Sequence, residues 1–249
     1  VRTIPGNGLI VCNAQDANLE SVLDQGCWSQ LQRFALQEAA EWQVDLISPD
    51  GSQLAFSRSG QTVGTIEWEM CGQHNAMNAC AALAACVAAG VDSHTALAGL
   101  AAFSGVKRRL ELLSTLDDIH VYDDFAHHPT AIRLTLEGLR RNVGNARLLV
   151  ALEPRSNTMR AGHHIAELGP ALVAADKVWL MAGGGIDWDP QQALRPLDGR
   201  GKVVIRSDDL LQQLMDAVRQ GDHVVFMSNG GFESAPSRFC KLLKNNRHD

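Results

Sequence analysis

From His120 onward, short apolar runs alternate with amphipathic stretches, and this alternation leaves few folds open to the chain. Strands are expected at His120–Asp123, Arg147–Leu152, Lys177–Met181, Lys202–Ile205 and His223–Met227. Helices are expected at Thr130–Arg141, His163–Ala174, Asp208–Arg219 and from about Ser234. Apolar strands need cover on both faces, and helices with one apolar stripe supply it, so the pattern predicts a doubly wound, mostly parallel α/β sheet.

The first part of the chain reads differently. An apolar run at Gly8–Asn13 suggests a buried strand, followed by a short helix over Asp16–Leu23 that Gly26 stops. Between Trp42 and Met70 polar and apolar residues alternate, with Asp50-Gly51 and Ser59-Gly60 as turns, which predicts an antiparallel meander. Gly72–Gly90 is an Ala-rich helix suited to close packing, and a second helix runs from Ser93 to about Phe103. The boundary is placed near Thr115–Asp118, giving expected domains of residues 1–116 and 117–249.

Hydrophobic residues make up 45% of the chain, ample for a packed core, and a formal charge of −6 argues against a polyanion-binding surface. Nucleic acid is therefore not an expected partner. The opening residues have no secretory-signal pattern, and no apolar run is long enough to span a bilayer. The six cysteines form no C-x-x-C pair, which fits a reducing cytoplasm. The expectation is a cytoplasmic monomer acting on small molecules, without a membrane. Val1 leads almost at once into a strand-like run, as if the sequence began inside a longer chain.

Ligands of open parallel sheets bind beyond the carboxyl ends of the strands, where loops and helix N-termini converge. Four such ends carry polar or glycine-rich clusters: Asp123-Asp124-Phe125-Ala126-His127-His128-Pro129-Thr130, Glu153-Pro154-Arg155-Ser156-Asn157-Thr158-Met159-Arg160, Gly183-Gly184-Gly185 and Ser228-Asn229-Gly230-Gly231. They are expected to share one rim, although Gly183–Gly185 on its own reads as a solvated turn. Upstream, Asn75 and Asn78 lie three apart at the start of the Ala-rich helix. Their amides match the hydrogen-bonding edge of adenine, or they cap the helix. Lys107-Arg108-Arg109 could meet an anionic ligand.

Gly-x-His-Asn-x-x-Asn at 72–78, Gly-x-x-x-Arg at 105–109 and Asp-Asp-Phe-Ala-His-His-Pro-Thr at 123–130 resemble, in order and spacing, the Mur ligases of peptidoglycan synthesis. The His-His-Pro-Thr form resembles the branch acting on UDP-N-acetylmuramate. Glu-Pro-Arg-Ser-Asn-Thr-Met and Met-Ser-Asn-Gly-Gly-Phe resemble its members that add a whole murein peptide.

The resemblance implies an ATP-dependent ligase that joins L-alanyl-γ-D-glutamyl-meso-diaminopimelate to UDP-N-acetylmuramate through an acyl phosphate, in peptidoglycan recycling. Free L-alanine is the alternative acceptor. It implies a partial central ATPase domain followed by a Rossmann-like domain. Asn75 and Asn78 would then lie at the adenine, Arg109 at the phosphates and Asp124 at the ribose hydroxyls. Arg109, His127 and His128 would be the catalytic groups. His128, Arg155, Asn157, Thr158, Arg160 and the loop of Ser228, Asn229 and Gly230 would meet the peptide. The sequence contains no G-x-x-G-K-[S/T] phosphate loop, and none of the family's Mg²⁺ ligands are expected in it, so the chain by itself is expected not to turn over ATP. Two rivals are a binding-only nucleotide or anion module, and a metal hydrolase on His127, His128, His163 and His164 with Asp123 and Asp124, which has no H-x-x-x-H spacing to support it.

Overall fold

Two separate sheets organise the chain, and the direction in which each strand points its apolar residues decides what covers them. The computed structural model describes residues 1–246, which divide into two units, Val1–Ser104 and the part from Gly105 onward. In the first unit β1 (Leu9–Asn13), β2 (Gln30–Leu36), β3 (Trp42–Leu46), β4 (Gln53–Arg58) and β5 (Gln61–Glu67) lie in sequential order. The first three are mutually parallel, and β3 to β5 form the antiparallel meander expected from the alternation. Helix α1 (Ala17–Leu23) connects β1 to β2, its N-cap Asp16 accepting from the Asn18 and Leu19 N–H groups.

Helices α2 (Gln73–Ala88) and α3 (Ser93–Ala101) cover this sheet. The buried residues of α2, Ala76, Ala79, Cys80, Leu83 and Ala84, follow a spacing of three and four and form one stripe. That stripe packs with Trp42, Val44, Leu54, Phe56 and Ile66, the inward residues of the meander. Gly72, at φ +95°, begins α2, and its N–H donates to the Asp50 carbonyl at 2.6 Å. A Cβ on Gly51 would stand 3.3 Å from the Gly72 nitrogen, so the turn and the helix start approach as bare backbone.

The second sheet has the order β10-β9-β8-β11-β7-β6, where β6 is Glu111–Leu116, β7 Ile119–Asp124, β8 Leu148–Leu152, β9 Lys177–Met181, β10 Gly201–Val204 and β11 His223–Met227. All neighbours are parallel except β6 and β7. Because β6 pairs along β7, it belongs to this sheet, and the second unit begins at Gly105 rather than at the expected 116/117.

Every residue of β8 is buried, and its side chains alternate between two cores. Leu148, Val150 and Leu152 face a layer containing α4 (Pro129–Val143), α6 (Ile165–Ala171) and α7 (Pro190–Leu194). Leu149 and Ala151 face α8 (Ser207–Ala217) and α9 (Ala235–Asn245). The short α5 (Asn157–Arg160) follows β8. The chain steps outward from β7 through β8 and β9 to β10 on one layer of helices, and α8 then carries it back to insert β11 between β7 and β8. That reversal is the switch point at which such sheets open a site, and it gathers the ends of β7, β11 and β8. Among the described residues no helix is long and apolar enough to cross a membrane.

At the opposite, amino end of the same strands, His120 and His223 are register partners whose rings stack at 4.6 Å, and the Tyr122 hydroxyl meets His223 Nδ1 at 3.0 Å. Burial pushes the His223 pKa down to about 4 from 6.5, helped by His120 and Arg140 and opposed by Asp118. The native state therefore refuses a proton that the unfolded chain accepts, and stability falls as pH drops from about 6.5 to about 4. Asp123, Asp124 and Asp222, whose pKa values burial raises, work the other way and add stability as they protonate. Urea unfolding at pH 7 and pH 5 should show a smaller loss in His223→Gln than in the parent chain. Equal losses would remove His223 as the cause.

Candidate functional site

The carboxyl ends of β7, β11 and β8 are tied into one hydrogen-bonded network. The Ser228 N–H, just past β11, donates to the Asp124 carbonyl at 3.0 Å, and the Glu153 N–H, just past β8, donates to the Met227 carbonyl at 3.0 Å. Side chains repeat the link: the Ser228 hydroxyl donates to Glu153 Oε2 at 2.6 Å, and Arg155 Nη1 stands 3.3 Å from Glu153 Oε1. Arg108 reaches in from the segment before β6, donating to Asp123 Oδ2 at 3.0 Å and to the Ser228 carbonyl at 2.6 Å. The common rim expected of Asp124, Arg155 and Ser228 is therefore present within the second unit.

Several of these residues have partners inside the protein. Asp124 is 3% exposed, and its two oxygens accept the Ala126 and Leu110 N–H groups at 2.7 Å each. Burial raises its pKa although both hydrogen bonds and Arg109 favour the charged form. Its first task is thus to pin the backbone on either side of the rim. A ribose hydroxyl could reach only the second acceptor position of each oxygen. The Gly230 N–H donates to the Ser228 hydroxyl at 2.9 Å, and the Ser228 N–H is taken by the Asp124 carbonyl. Asn229 Oδ1 is buried and has no hydrogen-bond partner among the described residues.

The two histidines have opposite hydrogen-bonding polarity. His127 Nδ1 lies 3.0 Å from the Phe125 carbonyl, which only accepts, so Nδ1 carries hydrogen and neutral His127 offers Nε2 as an acceptor. His128 Nδ1 accepts the Thr130 N–H at 3.3 Å as the N-cap of α4, so its neutral form offers Nε2–H as a donor. His128 also meets His164 edge to face, with centroids 4.4 Å apart.

Arg160 stands apart from the Arg155 network. Its Nε donates to the Gly185 carbonyl at 2.7 Å. Gly185 has φ +94°, and a Cβ there would strike the Arg160 guanidinium, so within this exposed turn Gly185 lies against the arginine. Asn157 and Thr158 are exposed in α5, whose N-cap Ser156 accepts the Met159 N–H at 3.3 Å. Arg109 is exposed, with its guanidinium 5.3 Å from the centre of the Phe125 ring, and it makes no ion pair among the described residues. In the first unit, Asn75 donates its amide to the Cys71 carbonyl at 2.7 Å and keeps its oxygen, while Asn78 is exposed. Among the described residues no group of three or more His, Cys, Asp or Glu is placed to hold a metal ion.

Glu153 and Arg108 were not singled out from the sequence. Glu153 had a signal: it is an acid directly after the uninterrupted apolar run 148–152, where only a partnered carboxylate can be buried. Arg108 had none that set it apart from Lys107 and Arg109.

Residues 108–230 match the Mur ligase, glutamate ligase domain. Over 237 residues the chain is 38% identical to the UDP-N-acetylmuramate–L-alanyl-γ-D-glutamyl-meso-2,6-diaminoheptandioate ligase of Escherichia coli (strain K12), covering 93% of this chain and 50% of that protein. It is 32% identical over 244 residues to the UDP-N-acetylmuramate–L-alanine ligase of Acidothermus cellulolyticus, covering 93% and 51%. The crystal structure of a murein peptide ligase from Psychrobacter arcticus matches 98% of this chain and 53% of its own, at a TM-score of 0.75 and 38% identity. The chain belongs to the Mur ligase family, and it spans about half the length of the curated relatives it matches.

Asp124→Asn places an amide N–H against one of two backbone donors in a buried pocket. The substitution should cost about 2–4 kcal/mol, the range of a lost charge-assisted bond plus an unsatisfied buried donor. Thermal unfolding should show the loss, and amide exchange should speed up at Leu110 and Ala126. An unchanged midpoint would remove Asp124 from its pinning role.

Proposed function

We propose that these residues form part of a cytoplasmic, monomeric, ATP-dependent ligase that joins L-alanyl-γ-D-glutamyl-meso-diaminopimelate to UDP-N-acetylmuramate. The first unit would be the later part of its ATP-binding domain and the second its C-terminal, Rossmann-like domain. The observation that carries this reading is Arg155: an exposed guanidinium, held by Glu153 at the sheet's switch point, in a chain 38% identical to ligases named for that tripeptide. Exposed guanidinium groups suit a ligand with several carboxylates, because each offers forked donors. The net charge of −6 also fits a small-molecule substrate better than a nucleic acid.

A carboxylate is a poor acyl donor because its oxygen leaves badly, and transfer of the ATP γ-phosphoryl to it supplies a better leaving group. The peptide amine then attacks the acyl carbon, phosphate departs, and the amine loses a proton. Arg109 has the charge and exposure to steady the phosphate oxygens. His127 Nε2 is an acceptor for an N–H of the amine, and His128 Nε2–H is a donor for an oxygen. Most of the acceleration would come from orientation and charge rather than from a protein nucleophile.

Calorimetric titration of the 249-residue chain should detect the tripeptide and give no heat with L-alanine at the same concentration. Binding of L-alanine as tight as that of the tripeptide would instead favour the alanine-adding reading. The chain contains no G-x-x-G-K-[S/T] segment, so tripeptide-dependent ADP release by these 249 residues alone should be absent.

A further inference from the structure

Glu153 has a task that the assignment of Arg155 to the peptide leaves unexplained. Its side chain is 7% exposed, against 58% for Arg155, so a buried charge directs an exposed one. A carboxylate at the end of a fully buried strand is stable only with its lone pairs engaged, and here both oxygens are. Oε2 accepts from the Ser228 hydroxyl at 2.6 Å and Oε1 lies 3.3 Å from Arg155 Nη1. Ser228 Oγ in turn accepts the Gly230 N–H at 2.9 Å, so the hydroxyl can point its hydrogen only toward Glu153.

Gly230 supplies the second, independent observation. A Cβ there would stand 2.5 Å from Arg155 Cδ and 2.9 Å from its Nε, so the arginine lies across the bare face of the glycine. No positive φ is recorded for Gly230, and its lack of a side chain makes room for Arg155 rather than for a special backbone angle. The guanidinium is thus fixed at two points, by charge at Nη1 and by contact along its stem, and its other donors are left at the exposed rim.

We propose that Glu153 is a positioning residue that aims Arg155 at a carboxylate of the peptide substrate, with Ser228 and Gly230 setting the seat. This rests on the tripeptide reading above. A long arginine ordered before binding loses less side-chain freedom when the ligand arrives, so the seat acts on affinity through Arg155 alone.

The test uses the 249-residue chain in five forms: parent, Glu153→Gln, Gly230→Ala, Arg155→Ala and the Glu153→Gln/Arg155→Ala double variant. Glu153→Gln keeps the length of the side chain and an oxygen for Ser228, and Gly230→Ala displaces the arginine without touching Glu153. In the parent, the Arg155 Nε–Hε NMR signal should be dispersed and slow to exchange. In both seat variants it should move to the averaged position of a free arginine. Each seat variant should weaken tripeptide binding about tenfold, the scale of one charge-assisted contact. The double variant should bind no more weakly than Arg155→Ala.

The proposal is overturned if Glu153→Gln leaves the Arg155 signal unchanged, or weakens binding as much without Arg155 as with it. Failure of the substrate reading looks different: the parent binds no tripeptide, yet Glu153→Gln still releases the Arg155 signal. That result would overturn the choice of ligand and uphold the coupling of the two side chains.

Discussion

Two carboxylates withdrawn from water at the ends of neighbouring strands decide the form of the second unit's rim. Asp124 closes β7, Glu153 follows β8, and both are buried. Charge in such places persists only if donors reach it. The donors come from widely separated segments: Leu110 and Ala126 for Asp124, Ser228 and Arg155 for Glu153. Each acid therefore fixes distant pieces of chain to one point, and the rim has few ways to relax without stranding a charge. β11 lies between the two acids and supplies Ser228, whose N–H, carbonyl and hydroxyl are all committed to this network.

The second sheet was legible from the sequence because its strands are short, apolar and separated by helices with one clear stripe. Buried parallel strands leave that signature. β6 was missed because Glu111–Leu116 has exposed leucines at Leu112 and Leu113 and a register shift against β7 between Leu112 and Ser114, which breaks any period of two. β2 was missed for a related reason: in Gln30–Leu36 only Phe34 and Ala35 are buried, and they are adjacent rather than alternate. The expected boundary lies beyond β6 for the same reason, since an unrecognised edge strand gave no cue to place it before Gly105.

The rim was legible by location and not by partner. The rule that ligands meet parallel sheets at the carboxyl ends of strands correctly gathered Asp124, Arg155 and Ser228. It could not say that Asp124 spends its oxygens on backbone, or that the Gly230 N–H faces a serine rather than a ligand. Those outcomes depend on which donors the fold brings within 3 Å, a property of tertiary packing that no local spacing encodes. Gly183–Gly185 remains an exposed turn, and the bond that its Gly185 carbonyl accepts from Arg160 could not be foreseen, because Arg160 lies 25 residues away in sequence and becomes its neighbour only once β8 and β9 pair.

The segment that leads into β6 shows how firmly the rim is held. Arg108 and Leu110 both take left-handed backbone angles, φ +59° and +49°, which cost residues with a Cβ on the order of 1 kcal/mol each. Nothing in their own side chains favours that conformation. The offset is local: the Arg108 carbonyl accepts from Phe125, its N–H donates to Glu111, its guanidinium binds Asp123 and the Ser228 carbonyl, and the Leu110 N–H goes to Asp124. Five bonds of that kind outweigh two strained residues. Arg109 lies between the strained pair, so the direction of its exposed guanidinium over Phe125 is set by the same contacts that hold Asp123 and Asp124. Within the basic run that the sequence offered to an anionic ligand, one arginine thereby locks the backbone and its neighbour is left exposed.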